Sequence, residues 1–168
     1  TESEILQDGF DIDFRVPLSQ GGDSPLDVSR AVSIGIAGFA NVFDESRPDI
    51  IVVLGDRFEL LCPAIAALLA GIPLAHIAGG HLTEGTMDDV IRHSLTKMSH
   101  LHFTSTEIYA RRIVQLGENP NRVFVTGSLG LDNIYARENM SRQTLATLLG
   151  TALDEPICVV TFHPSSFD

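Results

Sequence analysis

The chain has 168 residues, 44% of them hydrophobic and 20% charged, with a formal net charge of −11 at pH 7. That length predicts one domain with a real core, and the balance of apolar and charged residues excludes a disordered acidic tail. The acidic surplus argues against non-specific binding to nucleic acid or an anionic membrane surface, since both reward clustered Lys and Arg; an anionic nucleotide can still be held by backbone N–H groups at helix starts and a few placed cations.

Strand and helix patterns alternate along the chain, which predicts an α/β fold with a parallel sheet and helices on both faces. Asp11 to Val16 (DIDFRV) alternates polar and apolar and reads as a half-exposed strand. After the loop LSQGGDSP, Asp23 or Ser24 can cap a helix whose first turn suits Pro25. Val28, Val32, Gly35, Phe39 and Val42 recur at helical spacing, so this helix runs to about Ser46, and Pro48 prevents its continuation. Asp49 to Leu54 (DIIVVL) is a continuous β-branched run, the pattern of a strand buried on both faces. A helix from Phe58 to Ala70 follows, with Pro63 forcing a late start or a kink.

Pro73 to Ile77 reads as the next strand, ended by Gly79 and Gly80. The helix after it begins near Met87, with Met87, Val90, Ile91, Leu95 and Met98 as its apolar stripe and Asp88, Arg92, His93 and Lys97 pointing elsewhere. Leu101 to Thr104 is a strand, Glu107 to Leu116 a helix, Asn119-Pro120-Asn121 a turn and Arg122 to Thr126 a strand. Two short helices near Leu131–Arg137 and Ser141–Leu149 lead to a last strand, Ile157 to Phe162.

Cys62 and Cys158 both sit in apolar text and read as small buried hydrophobes, without CxxC or metal-type spacing. A reducing, cytoplasmic setting is the expectation from them. Leu60 to Ala75 is the apolar stretch to weigh as a membrane segment, but Pro63, Gly71 and Pro73 interrupt it and it falls short of a span. The chain opens on TESEIL and stops at TFHPSSFD, just after an apolar run, so both ends are expected to belong to a longer protein.

In open α/β sheets the ligand sits beyond the carboxyl ends of the strands. Ionisable residues occupy three such places: Asp56-Arg57, the segment 76–93, and His163. Asp56 reads either as a carboxylate serving as acid, base or hydroxyl acceptor, or as a helix cap or surface partner of Arg57. The segment HIAGGHLTEGTMDDVIRH holds three glycines, three histidines, three carboxylates and an arginine. Its glycines permit close backbone approach, and the start of the Met87 helix can hold an anion. Asp88 and Asp89 also have a plain reading on the helix dipole, and Asp88/Arg92 and Asp89/His93 as i,i+4 pairs. His76, His81, Glu84 and His93 could ligate a metal, but their spacing matches no HExxH-type pattern, so no metal is expected. His163, at a strand end before Pro164, can act as a general acid or base near neutral pH.

Together, DGFDIDFRV, RPDIIVVLGDRFELL, IPLAHIAGGHLTEGTMDDVIRHSLTKMSHLHF, RRIVQLGENPNRVFVTGSLGLDNI and TFHP resemble the hydrolysing UDP-N-acetylglucosamine 2-epimerases, especially the branch serving sialic acid and related nonulosonate pathways. The resemblance covers nearly the whole chain and is most specific from Gly55 to Phe103. It implies one Rossmann-like lobe of a two-lobed, glycosyltransferase-B-like architecture: residues 1–150 as the N-terminal lobe with its first strand lying before Thr1, and 151–168 as the start of the crossing to a second lobe. The implied reaction converts UDP-N-acetylglucosamine and water to N-acetylmannosamine and UDP by anti elimination to a glycal and hydration with inversion at C2. The same chemistry on UDP-N,N′-diacetylbacillosamine, a sugar-nucleotide-binding module without turnover, and a true glycosyltransferase lobe are the rivals.

By resemblance Asp56 of GDRFE, Asp88 of the DD pair and His163 of TFHP are catalytic, with Glu84 as a further candidate. Arg57, Gly79, Gly80, His81, Arg92 and His93 are expected to contact substrate. A UDP-sugar is the expected ligand, with no cofactor, no nucleic acid and no membrane partner, and a homodimer or higher homo-oligomer follows from the family likeness. One departure stands out: the family usually writes a glutamate after the glycine pair, and often one before it, where this chain has His81 and Ala78.

Overall fold

A computed structural model describes residues 2–18, 21–22, 24–153, 155 and 157–162. In chain order the elements are α1 (Glu2–Gln7), α2 (Pro25–Ser46), β1 (Ile51–Leu54), α3 (Leu61–Ala70), β2 (Leu74–Ile77), α4 (Met87–Met98), β3 (Leu101–Thr104), α5 (Glu107–Gln115), β4 (Val123–Val125), α6 (Leu129–Ala136) and α7 (Arg142–Leu149). The four strands form one parallel sheet in the order β1-β2-β3-β4. Parallel neighbours need crossovers, and α3, α4 and α5 supply them in turn.

Local chemistry sets the boundaries. Ser24 caps α2, its Oγ accepting the Asp27 N–H at 3.2 Å, and Pro25 fits the first turn, where an N–H would have no helical acceptor. The helix stops at Arg47, which turns left-handed (φ 46°) ahead of Pro48. Pro63 delays α3: a 3₁₀ turn at Phe58–Leu60 comes first, so that Pro63 falls in the opening turn of α3 rather than its interior. Thr86 and Thr106 cap α4 and α5 through their hydroxyls.

Phe43, Val53, Ala64, Ala66, Ala67, Leu74, Ile91 and Leu95 form the buried core, where α2, α3 and α4 meet β1 and β2. α2 and α3 approach closely because Gly35 has no side chain: a Cβ there would lie 2.6 Å from the Cys62 sulfur.

Several expectations are corrected. Residues 11–16 form no strand; Val16 and Leu18 instead lie against Gly38 and Gly35 of α2. Residues 157–162 form no strand either and are exposed. Alternation and β-branching favour extended backbone, but a strand also needs a neighbour to accept its hydrogen bonds, and among the described residues neither segment has one. β1 is not buried on both faces: Val53 is 4% exposed, but Val52 and Leu54 are 59% and 57% exposed. Val53 and Leu74 face the α3–α4 layer, and the alternation of strand side chains turns Val52 and Leu54 away from it. In α4, Ile91 and Leu95 are buried as expected and Met98 packs against the core, but Met87 and Val90 are exposed and Arg92 is buried. Cys62 is buried as expected but Cys158 is exposed. α2, not Leu60–Ala75, is the helix long and apolar enough by length and composition to cross a membrane; here its inward face packs on α3 through Gly35 and Phe43.

Candidate active site

The carboxyl ends of β1, β2 and β3 converge on the 78–86 loop. Gly55 closes β1 with φ 97°, and its carbonyl lies 2.8 Å from Nε2 of His76, a fully buried β2 residue. Burial lowers the His76 pKa from 6.5 to about 4, so the ring is neutral at pH 7 and Nε2–H donates to Gly55. Thr96 of α4 holds the other nitrogen at 3.4 Å. Thr104 of β3 donates to the Gly79 carbonyl at 2.9 Å. These contacts fix where Asp56 and the glycine pair leave the sheet.

Arg92 joins those pieces. Its guanidinium is 4% exposed, and its Nε donates to Asp56 Oδ2 at 2.9 Å while one terminal nitrogen binds the same oxygen. That nitrogen also donates to Thr83 Oγ1 at 3.0 Å. The other terminal nitrogen donates to the His81 carbonyl at 3.1 Å and to Asp89 Oδ1 at 3.1 Å. Asp89 in turn accepts the Thr83 N–H at 2.7 Å. A buried guanidinium demands this many acceptors, because an unpaired charge in low dielectric is costly. Arg92 therefore positions Asp56 and the loop, and its α4 partner is Asp89 rather than the expected Asp88.

His81 lies on the other side of the loop. Its ring stacks on Tyr109 of α5, centroids 4.0 Å apart, and its Nε2 is 3.3 Å from Ser105 Oγ at the end of β3. Burial, and then the neighbouring Arg92 charge, lower the His81 pKa. Arg112 of α5 donates to the Gly80 carbonyl and sits over the Tyr109 ring at 5.7 Å. Gly80 has φ 84°, and a Cβ there would meet the Tyr109 carbonyl at 2.5 Å, so the glycine is required by close packing of the loop on α5. Ala78 also takes a left-handed φ of 70°, unusual for a residue with a Cβ. Beside it opens a cavity of about 290 Å³, lined by Leu54, Ile77, Ala78, His81, Ser105 and residues 127–130 leading into α6.

The remaining candidates divide. Glu59, 3.0 Å away, is the main cause that raises the Arg57 pKa, and Asp88, half-buried in the first turn of α4, and Asp56 add to it. Asp56, Arg57 and Asp88 thus share one electrostatic neighbourhood. His93 faces Asp89 at 3.6 Å, and its Nδ1 is buried without a hydrogen bond among the described residues. Glu84 is exposed in the loop and has no hydrogen bond or ion pair among the described residues. His163 lies outside the described residues. Among the described residues no three His, Cys, Asp or Glu side chains cluster so as to hold a metal ion. The chain offers strand-end carboxylates, a neutral imidazole and cations suited to proton transfer beside an anionic leaving group. Sequence reasoning missed Tyr109, Ser105 and Arg112; Tyr109 and Arg112 stand three residues apart on α5, and that spacing was the available signal.

A family model for UDP-N-acetylglucosamine 2-epimerase matches residues 2–168. The chain is 41% identical over 164 residues to the Campylobacter jejuni GDP/UDP-N,N′-diacetylbacillosamine 2-epimerase (hydrolyzing), covering 98% of this chain and 42% of that protein. It is 41% identical over 162 residues to the Escherichia coli polysialic acid biosynthesis protein P7, covering 96% of this chain and 41% of that one. The crystal structure of the Neisseria meningitidis UDP-GlcNAc 2-epimerase bound to UDP-GlcNAc shares its fold with a TM-score of 0.73 at 20% identity, over 80% of this chain and 36% of that one. The chain thus spans about two fifths of the length of the curated relatives it matches. With its parallel sheet forming part of a glycosyltransferase-B-like architecture and a family match over all but its first residue, the chain belongs to the UDP-N-acetylglucosamine 2-epimerase family.

Proposed function

We propose that the protein is a hydrolysing 2-epimerase that converts UDP-N-acetylglucosamine and water to N-acetylmannosamine and UDP. The observation that carries the reading is the Asp56–Arg92 pair at the end of β1, with His81 within electrostatic reach of both and Asp88 sharing the Arg57 neighbourhood with Asp56. The chemistry is elimination then hydration. The C1–O bond breaks with its electron pair going to the UDP oxygen, a base takes the C2 proton, and the resulting glycal adds water, with a proton reaching C2 from the opposite face. Carboxylates and imidazoles at the strand ends can take and return the protons of both halves. Arg57, 72% exposed at its side chain, is available to an anionic diphosphate. Glu84, Gly79, Gly80 and His93 complete the proposed substrate-facing set, with His163 as a further acid–base group. In this reading residues 1–150 form the N-terminal lobe, 151–168 begin the crossing to a second lobe, and the whole protein is a cytoplasmic homo-oligomer.

A second reading keeps the reaction and changes the sugar to UDP-N,N′-diacetylbacillosamine. It is favoured by the 41% identity to a relative of that name over 98% of this chain. Incubating the full-length protein with each UDP-sugar in D₂O and following it by NMR tests both readings. Free UDP, a C2-inverted free sugar and deuterium at C2 are expected. UDP-sugar binding without UDP release would replace the enzyme by a binding module, and sugar transfer to an acceptor would replace it by a transferase.

A further inference from the structure

We infer that His81 takes the C2 proton of the bound sugar through its ring nitrogen, and that Ser105 and Tyr109 hold the ring in place for this step. The inference rests on the epimerase reading and names the base within it.

Among the residues lining the 290 Å³ cavity at the strand ends, His81 is the one titratable side chain; the others are apolar, glycine or serine. That volume is near the lower end for small-molecule sites, about 300 Å³, and suits one sugar unit rather than a whole nucleotide sugar. The ring cannot swing freely. Tyr109 covers one face at 4.0 Å and Ser105 Oγ lies 3.3 Å from Nε2. A base fixed on two sides loses little freedom when it reacts.

The neighbouring carboxylates are differently employed. Asp56 Oδ2 receives two N–H donors from Arg92, and Asp89 Oδ1 receives donors from Arg92 and the Thr83 amide. Those oxygens are occupied in charge-assisted hydrogen bonds that hold the loop and α4 together. The charged and titratable groups facing His81 are Arg92 from α4, Asp56 beyond β1, and Tyr109 and Arg112 from α5. Burial and the two arginines favour the neutral ring; Asp56 opposes them. A neutral imidazole is a ready base at pH 7 without needing a carboxylate at this position.

The lone pair of the imidazole forms an N–H bond with the C2 hydrogen. The C2–H electron pair becomes the C1=C2 double bond, and the C1–O pair leaves with UDP. The imidazolium then returns its proton to water, which restores the neutral base.

The test uses the full-length protein with UDP-N-acetylglucosamine and UDP-N,N′-diacetylbacillosamine, comparing wild type with His81→Gln, His81→Glu and His81→Phe. His81→Phe keeps a ring on Tyr109 without the nitrogen, and circular dichroism confirms its fold. Removing the base is expected to lower kcat by about 10²–10⁴-fold in His81→Gln and His81→Phe, with a much smaller change in KM. Wild-type kcat falls as pH drops below the ordinary histidine value; His81→Glu is active and moves that acid limb toward the carboxylate range. Wild-type turnover with an unchanged acid limb in a folded His81→Gln or His81→Phe protein overturns the inference and leaves the epimerase reading standing. Absence of UDP release by the wild type from both sugars overturns both.

Discussion

His76 and Gly55 are joined across the sheet, the imidazole Nε2 of a β2 residue lying 2.8 Å from the carbonyl that ends β1. This bond fixes the chain direction one residue before Asp56, and burial of the ring, which outweighs the bond's own preference for the charged form, keeps the imidazole neutral.

Stability should therefore depend on pH through His76. Its folded pKa is lowered from 6.5 to about 4. Between those values the unfolded chain binds a proton that the folded chain does not, so stability is fully present above pH 6.5 and is lost as pH falls toward 4. The shift corresponds to something on the order of 3 kcal/mol. Urea denaturation across this range should give a markedly flatter profile for His76→Gln than for wild type. Parallel profiles would mean that His76 is not buried in its neutral form.

Cys62 should resist thiol reagents in the folded protein. It is fully buried and burial raises its pKa, so little thiolate forms. Peptide mapping after alkylation should find Cys62 modified only in denaturant. Its labelling in the native state at the rate of Cys158 would contradict the packing of α3 on α2.

Gly80→Ala should damage both fold and site. The added Cβ would lie 2.5 Å from the Tyr109 carbonyl at a left-handed φ of 84°. The loop must then move off α5, and the His81–Tyr109 stack goes with it. A loss of about 1–3 kcal/mol is expected, read by thermal or urea unfolding. Wild-type stability in this variant would show that the loop does not rest on Tyr109.

Local signals were legible in the sequence where chemistry is local. Ser24 and Pro25 announce α2, and the β-branched run DIIVVL announces β1. Residues 11–16 and 157–162 carry strand-like patterns yet stay unpaired, because pairing depends on what lies alongside and not on the run itself. Asp56 was singled out by its place after a strand, whereas Asp88 was singled out by the family resemblance, its place at a helix start having a plain reading on the helix dipole. The role of Arg92 was not visible, since hydrophobic periodicity sends every arginine outward, whereas a buried arginine is explained by partners distant in sequence. Asp56 is 36 residues away. His81 was noticed as a departure from a family pattern, but its stack on Tyr109 depends on how α5 packs against the loop.

Arg92 gives the sharpest mutational prediction. Its guanidinium is 4% exposed and contacts Asp56, Asp89, Thr83 and the His81 carbonyl at once. Replacing it with Leu removes the cation and leaves the Asp56 and Asp89 carboxylates without their counter-charge, for an expected cost of about 3–5 kcal/mol. Arg92→Lys restores a charge but not the planar fork, so it can serve Asp56 or Asp89 but not both with the same geometry, and it should fall between wild type and Arg92→Leu. In the full-length protein Arg92→Lys should lower kcat more than it raises KM, because Asp56 and the loop lose their alignment while the UDP-sugar keeps most of its contacts. Urea denaturation and steady-state kinetics on the two variants check the ordering. If Arg92→Leu folds as stably as wild type, the ion pair is not the post that holds β1, the loop and α4 together.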